Sequence, residues 1–200
     1  MDMEIRKQIG DPSRTALIIW DVQRMLVNGI FNKEEFLRNT MSLVDQARKH
    51  RVPIFFTKIT PLPERFESPV RRLLAKQRMR KFQLTAEGLE LAIEPGEGDI
   101  VIHKNTASIF IGTNFEMMLR NAGIDTIVFT GIATEFGIES SGRDASNRGF
   151  YPLIAEDAVS SSDREAHERS LRNMQKLLFV FPSKEICEMW NQRSSEIGGG

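Results

Sequence analysis

The chain has 200 residues, enough for one globular domain with a substantial core, and its 27 basic side chains balance 27 acidic ones. That balance excludes the overall basic character of a dedicated nucleic-acid binder. A single cysteine, Cys187, excludes an intrachain disulfide and fits a reducing compartment.

The N-terminal stretch MDMEIRKQIGDPSR lacks the apolar core of a signal peptide. No apolar run approaches the roughly 20 residues of a membrane span. A soluble, cytoplasmic protein with no membrane partner is expected.

TALIIW (15–20) reads as a β-strand ending at Asp21. Asn32 opens a helix to about residue 50, with Leu37, Met41 and Val44 on one face. VPIFFTK (52–58) and DIVIHK (99–104) are the next strands, the latter introduced by the turn EPGEG. Thr113 and Glu116 have capping-box spacing ahead of Phe115, Met118 and Leu119, and Gly123 is the helix stop. TIVFTG (126–131) is the fourth strand, followed by a helix from about Thr134 to Gly149. FYPLIAED (150–157) is the fifth. Ser162 and Glu165 form a second capping box for a helix to about Lys176. LLFVF (177–181) is the sixth strand, and Ser183 caps a last helix through Trp190.

Strands that are continuously apolar are buried on both faces, and the helices between them supply right-handed crossovers. The pattern predicts one domain spanning 1–200, with a core of about 14–186 and a flexible tail at 191–200. Its fold class is α/β: a three-layer α/β/α arrangement, Rossmann-like, around a mostly parallel six-stranded sheet. Sites in such sheets gather beyond the carboxyl ends of the strands. That rule selects Asp21, Lys58, Lys104 and the loop after Gly131.

Three stretches in this order, IIWDVQ, IVIHKNTASIF and TGIATEFGIESSGRDA, resemble the isochorismatase-like (cysteine hydrolase) family, over roughly residues 14 to 186 and including PLIAEDAVSS. The resemblance implies that family's hydrolase fold, a small-molecule substrate, homo-oligomers of two or more subunits and no cofactor. It also implies catalytic roles for Asp21 and Lys104, with Gln23, Ile132, Ala133, Thr134 and Glu135 shaping the substrate site. A cis peptide is implied at Ile132–Ala133.

The family's amidases carry the pattern G-x-x-T-N-x-C-V-E-S-T. Gly131 and Thr134 match it, Glu135 replaces the asparagine and Gly137 replaces the cysteine nucleophile. Without that sulfur the thioester route is closed. Gly137 is expected to leave room, and its N–H at a helix start can hold developing negative charge. Isochorismatases proper also keep the aspartate and lysine with glycine at this position, and they hydrolyse a vinyl ether; they usually carry a histidine in the loop where this chain has Glu135. By that resemblance Asp21 is the proton donor, while Lys104 orients it or neutralises a substrate carboxylate. A non-catalytic relative that binds a metabolite or serves in an assembly is the competing reading.

Glu135 close to Asp21 would help keep one proton on the pair; otherwise it is an ordinary acidic residue of a first helical turn. Thr134 suits both a helix cap and a pocket wall. Cys187, beside Ile186 and Met189, reads as packing. Ser140 and Ser141 have no histidine near them in sequence, and the three histidines give no metal spacing. The basic segment 65–81 reads as a solvated face or a subunit interface, or as an anion-recruiting patch.

Overall fold

The computed structural model describes residues 3–78 and 85–198. Its strands are β1 (Thr15–Trp20), β2 (Ile54–Ile59), β3 (Ile100–Lys104), β4 (Thr126–Ile132), β5 (Tyr151–Ser160) and β6 (Phe179–Phe181). They form one sheet in the order β3-β2-β1-β4-β5-β6, and every neighbouring pair is parallel. The three-layer α/β/α class expected from the strand pattern is observed. The strand order turns back between β1 and β4, the switch point at whose carboxyl side open sheets of this kind bind their ligands.

The helices are α1 (Met3–Ile9), α2 (Arg24–Val27), α3 (Lys33–Lys49), α4 (Pro69–Arg78), α5 (Ala86–Leu89), α6 (Phe115–Asn121), α7 (Glu139–Asn147), α8 (Arg164–Met174) and α9 (Ser183–Gly198). The period-2 alternation of β1 sorts its side chains into two cores. Leu17 and Ile19 pack with Phe36, Leu43 and Trp190 from α3 and α9. Ala16, Ile18 and Trp20 pack with Phe115, Ile138, Ala145 and Met174 from α6, α7, α8 and the turn before α7. All six residues of β1 are buried.

Several details depart from the sequence reading. The buried stripe of α3 is Phe36, Thr40, Leu43, Val44 and Ala47; of the expected face, Val44 is buried, Leu37 packs partly against this core and Met41 is exposed. Asn32 stands at the N-cap of α3, but its side chain makes no capping bond; its Oδ1 accepts from Ser160 Oγ at 2.5 Å. Glu116 closes no capping box, because it pairs with Arg148 and Arg120. The cap of α8 is Asp163, whose Oδ1 accepts from Ala166 N at 3.0 Å, one residue beyond Ser162. Ser183 gives both its N–H and its hydroxyl to Asp157, at 2.7 and 2.9 Å. Gly123 does stop α6, at φ +67°. The last helix continues to Gly198, past the expected stop at Trp190. Residues 79–81 of the basic segment lie outside the described residues. Among the described residues, no helix is long and apolar enough to cross a membrane.

Candidate functional site

Asp21 follows the last residue of β1 and takes a left-handed backbone, φ +47°. That turn aims its carboxylate sideways, across the end of β2 toward β3. Lys104, the last residue of β3, reaches back, and its Nζ donates to Asp21 Oδ2 at 2.6 Å. The other oxygen, Oδ1, accepts from Thr57 Oγ1 at 2.5 Å, and Thr57 accepts in turn from Asp21 N–H at 3.0 Å. Both charged side chains are sealed, at 4% and 2% exposure. A buried pair holds only when both ions keep good partners, and here both do. The ammonium and the Thr57 hydroxyl each favour the ionised carboxylate.

The strand-to-helix passage after β4 supplies the opposite wall. Gly131 has φ +121°, and a Cβ there would meet Trp20 O at 2.1 Å, so the close pairing of Trp20 with Gly131 requires glycine. The Ile132–Ala133 peptide is cis. Ile132 is buried and Ala133 half-buried. Thr134–Ile138 then form a π-helical turn in which Ile138 N–H reaches Ala133 O at 3.4 Å. Such wide turns recur at functional sites.

The structure brings Asp21, Lys104 and Gly137 to one place, but the space between them is occupied. A Cβ on Gly137 would lie 2.0 Å from Trp20 Nε1 and 2.2 Å from Trp20 Cε2. Gly137 therefore leaves no room; the indole of Trp20 has taken it. The same ring carries Lys104 Nζ 3.9 Å from its centroid, a cation–π contact in a dry setting. Trp20 and Thr57 were not singled out from the sequence. The signals were present: a tryptophan directly before Asp21, and a hydroxyl inside an apolar strand.

The remaining candidates serve other contacts. Gln23 is fully buried and clamps backbone: its Nε2 donates to Leu89 O at 2.9 Å and Ile59 O at 3.3 Å, and its Oε1 accepts from Ile59 N at 3.0 Å. It ties the end of β2 to α5. Thr134 does not cap a helix. Its hydroxyl donates to Ser160 O at 3.1 Å and lies 2.8 Å from His167 Nδ1. With the hydroxyl hydrogen committed to Ser160, His167 Nδ1 carries the proton. Burial pushes the His167 pKa down, keeping the ring neutral. Glu135 turns toward the end of β5, and its Oε1 accepts from the Oγ of Ser161, the residue after that strand, at 2.8 Å. That places Glu135 as an acidic residue of the first turn, the alternative to a carboxylate pair with Asp21; its Oε2 is buried without a hydrogen-bond partner among the described residues.

Ser141 is spent on the backbone of Ala107 and Ile109. Lys58 pairs with Glu90 at the surface, at 3.3 Å. Cys187 sits in the α3–α9 core, and burial pushes its thiol up to about 11. An open cleft of about 620 Å³, lined by Arg24, Asn28, Lys33, Leu37 and Gly88, is separate from this centre and contains none of Asp21, Lys104 and Gly137.

Comparison with known proteins agrees with this architecture. The isochorismatase domain matches residues 15–184. The uncharacterized isochorismatase family protein YwoC of Bacillus subtilis is 33% identical over 180 residues, covering 86% of this chain and 88% of that protein. The ureidoacrylate amidohydrolase RutB of Methylobacterium radiotolerans is 29% identical over 192 residues, covering 82% and 74%. A cysteine hydrolase from Pseudomonas syringae pv. phaseolicola superposes with a TM-score of 0.83 at 19% identity, covering 92% of this chain and 95% of the other, a likeness of fold.

Proposed function

This chain belongs to the isochorismatase family, and from that premise we propose that it is a hydrolase of small carboxylated metabolites, using Asp21 and Lys104 without a covalent intermediate. The observation that carries the reading is the sealed 2.6 Å pair of Asp21 and Lys104 at the carboxyl ends of β1 and β3. Gly137 stands where the family resemblance puts the cysteine, and Cys187 is remote and protonated. No thiolate is at hand for acyl transfer.

The pair implies a sequence of events. A substrate carboxylate draws the Lys104 ammonium off Asp21. Burial then favours the neutral carboxyl, and Asp21 takes up a proton. With a vinyl ether, that proton goes to the alkene carbon, and water adds to the resulting oxocarbenium carbon. The water's proton returns to Asp21, and the adduct collapses to a keto acid and an alcohol. Isochorismate is the defined case to assay, through release of pyruvate. Turnover that exceeds the Asp21→Asn background supports the reading; none, across isochorismate and a panel of small carboxylated ethers, amides and esters, removes it.

A second reading has its own support. Trp20 fills the space beside Gly137, and the pair is closed to solvent. A family member that binds a metabolite without converting it would have this centre. Ligands that raise the melting temperature while remaining intact would favour it.

A further inference from the structure

We infer that two copies of the chain join through the β3 edge of the sheet, with α4 of each copy lying on the acidic strip beside β3 of the other.

Two exposed apolar surfaces lead to it. The α4 sequence PVRRLLAKQR puts Val70, Leu73 and Leu74 on one helical face, and all three are exposed, at 64%, 66% and 42%. Leu62 and Phe66, in the stretch leading to that helix, are exposed as well. A contiguous apolar face turned to solvent marks a contact surface. The second surface is the sheet edge. β3 ends the strand order, and its first two residues, Ile100 and Val101, are exposed. An edge strand offers unpaired backbone groups and a flank for another chain to cover.

Charge selects the occupant. The ten residues of α4 hold four cations and no carboxylate, and Arg65 precedes them. Between Lys81 and Lys104 run five carboxylates, Glu87, Glu90, Glu94, Glu97 and Asp99, and no Lys or Arg. A second α4 laid on the first would bring like charges together, and an anionic membrane would meet the acidic strip of the same edge. The acidic strip of a second copy matches α4 in sign and supplies apolar neighbours in Ile100 and Val101.

The two surfaces lie at opposite ends of one edge. Thr60 N–H donates to Lys104 O at 3.3 Å, so the arm that carries α4 leaves from the carboxyl end of β3. The acidic strip starts at that end, where Lys58 holds Glu90 at 3.3 Å. It finishes at the other end, where Arg48 in the last turn of α3 holds Asp99 at 3.0 Å and β3 begins. A two-fold axis across the middle of the edge therefore sets each α4 on its partner's Glu94 and Glu97, giving two identical contacts.

Sedimentation velocity on the full chain tests this. The parent should sediment at twice the chain mass at micromolar concentration. Arg65→Glu with Arg72→Glu makes the α4 side acidic, and Glu94→Lys with Glu97→Lys makes the strip basic. Alone, each double variant should have its dimer dissociation constant raised at least about a hundredfold, because both contacts become like-signed. Mixed one to one, the two should restore a dimer, since one contact keeps its native charges and the other carries both signs exchanged. Val70→Ser with Leu73→Ser should dissociate the dimer with no change of charge, and it carries the test where a charge-reversed protein fails to fold.

A monomeric parent would overturn the inference. So would reversed variants that remain dimeric alone, or a mixture that stays monomeric. A parent that is monomeric in solution and floats with phosphatidylglycerol vesicles, where the Val70→Ser, Leu73→Ser protein does not, would give α4 to a membrane surface instead. None of these readouts depends on turnover, so failure of the hydrolase reading leaves them unchanged.

Discussion

Trp20 and Gly137 share one volume: the Cβ that Gly137 lacks would sit 2.0 Å from the indole nitrogen. Gly137→Ala should therefore cost about 1–3 kcal/mol through overpacking against a rigid ring. In a Trp20→Leu background the same change should cost much less, because the clash has gone. Urea denaturation of the two single variants and the double gives the coupling, expected at 1 kcal/mol or more in order of magnitude. Additive effects would show that the ring and the glycine are independent.

Removing one partner of the buried ion pair should be expensive. Asp21→Asn leaves the Lys104 ammonium uncompensated and should lower stability by about 3–5 kcal/mol. Adding Lys104→Met should restore part of that loss, since the stranded charge is gone. Turnover, where present, should fall at least about a hundredfold in both proteins. Restored stability with restored turnover would make the pair a structural feature only.

Cys187 should be inert in the native state. Its thiol, pushed to about 11 by burial, holds almost no thiolate near neutral pH. Iodoacetamide at pH 8 should modify it only after unfolding, as followed by mass spectrometry, and Cys187→Ala should leave any hydrolysis unchanged. Rapid native labelling would contradict the packing described for α9.

The buried His167 ring gives stability a defined pH slope. Its folded pKa lies below the ordinary 6.5, so the unfolded chain binds more protons between the two values. The neutral ring's contribution is complete above about 6.5 and is lost as pH falls toward the lowered folded value. His167→Gln should flatten that part of the melting-temperature profile relative to the parent, while changing little in the slope above pH 7. Identical profiles for the two proteins would show that His167 is not the group responsible.

The sheet was legible because β1 and β4 are uninterrupted apolar runs, and burial on both faces leaves such sequences few alternatives. Asp21 and Lys104 were legible because strand ends follow directly from strand limits. The occupant of the site was not. Gly137 suggested an opening, since sequence distinguishes a missing side chain from a present one, whereas only packing shows that Trp20 enters from a different strand. The caps failed for a similar reason. Ser162 had the right spacing, but Asp163 caps α8, and the Asn32 amide oxygen is occupied by the Ser160 hydroxyl instead of the α3 backbone. Glu135 does sit in a first helical turn, but that position does not say which neighbour its carboxylate meets; it is Ser161, the residue after β5.

Asp21 carries its carboxylate on a backbone at φ +47°, a region that asparagine and glycine enter at little cost and branched residues enter badly. Selection at this position therefore acts through two separate filters, one chemical and one conformational. In a Lys104→Met background, where no buried ammonium is stranded, a saturation library sorted for folded protein should enrich Asn and Gly and deplete Val and Ile. Asparagine, alone among the neutral replacements that keep the carboxylate's shape, passes the conformational filter while failing the chemical one.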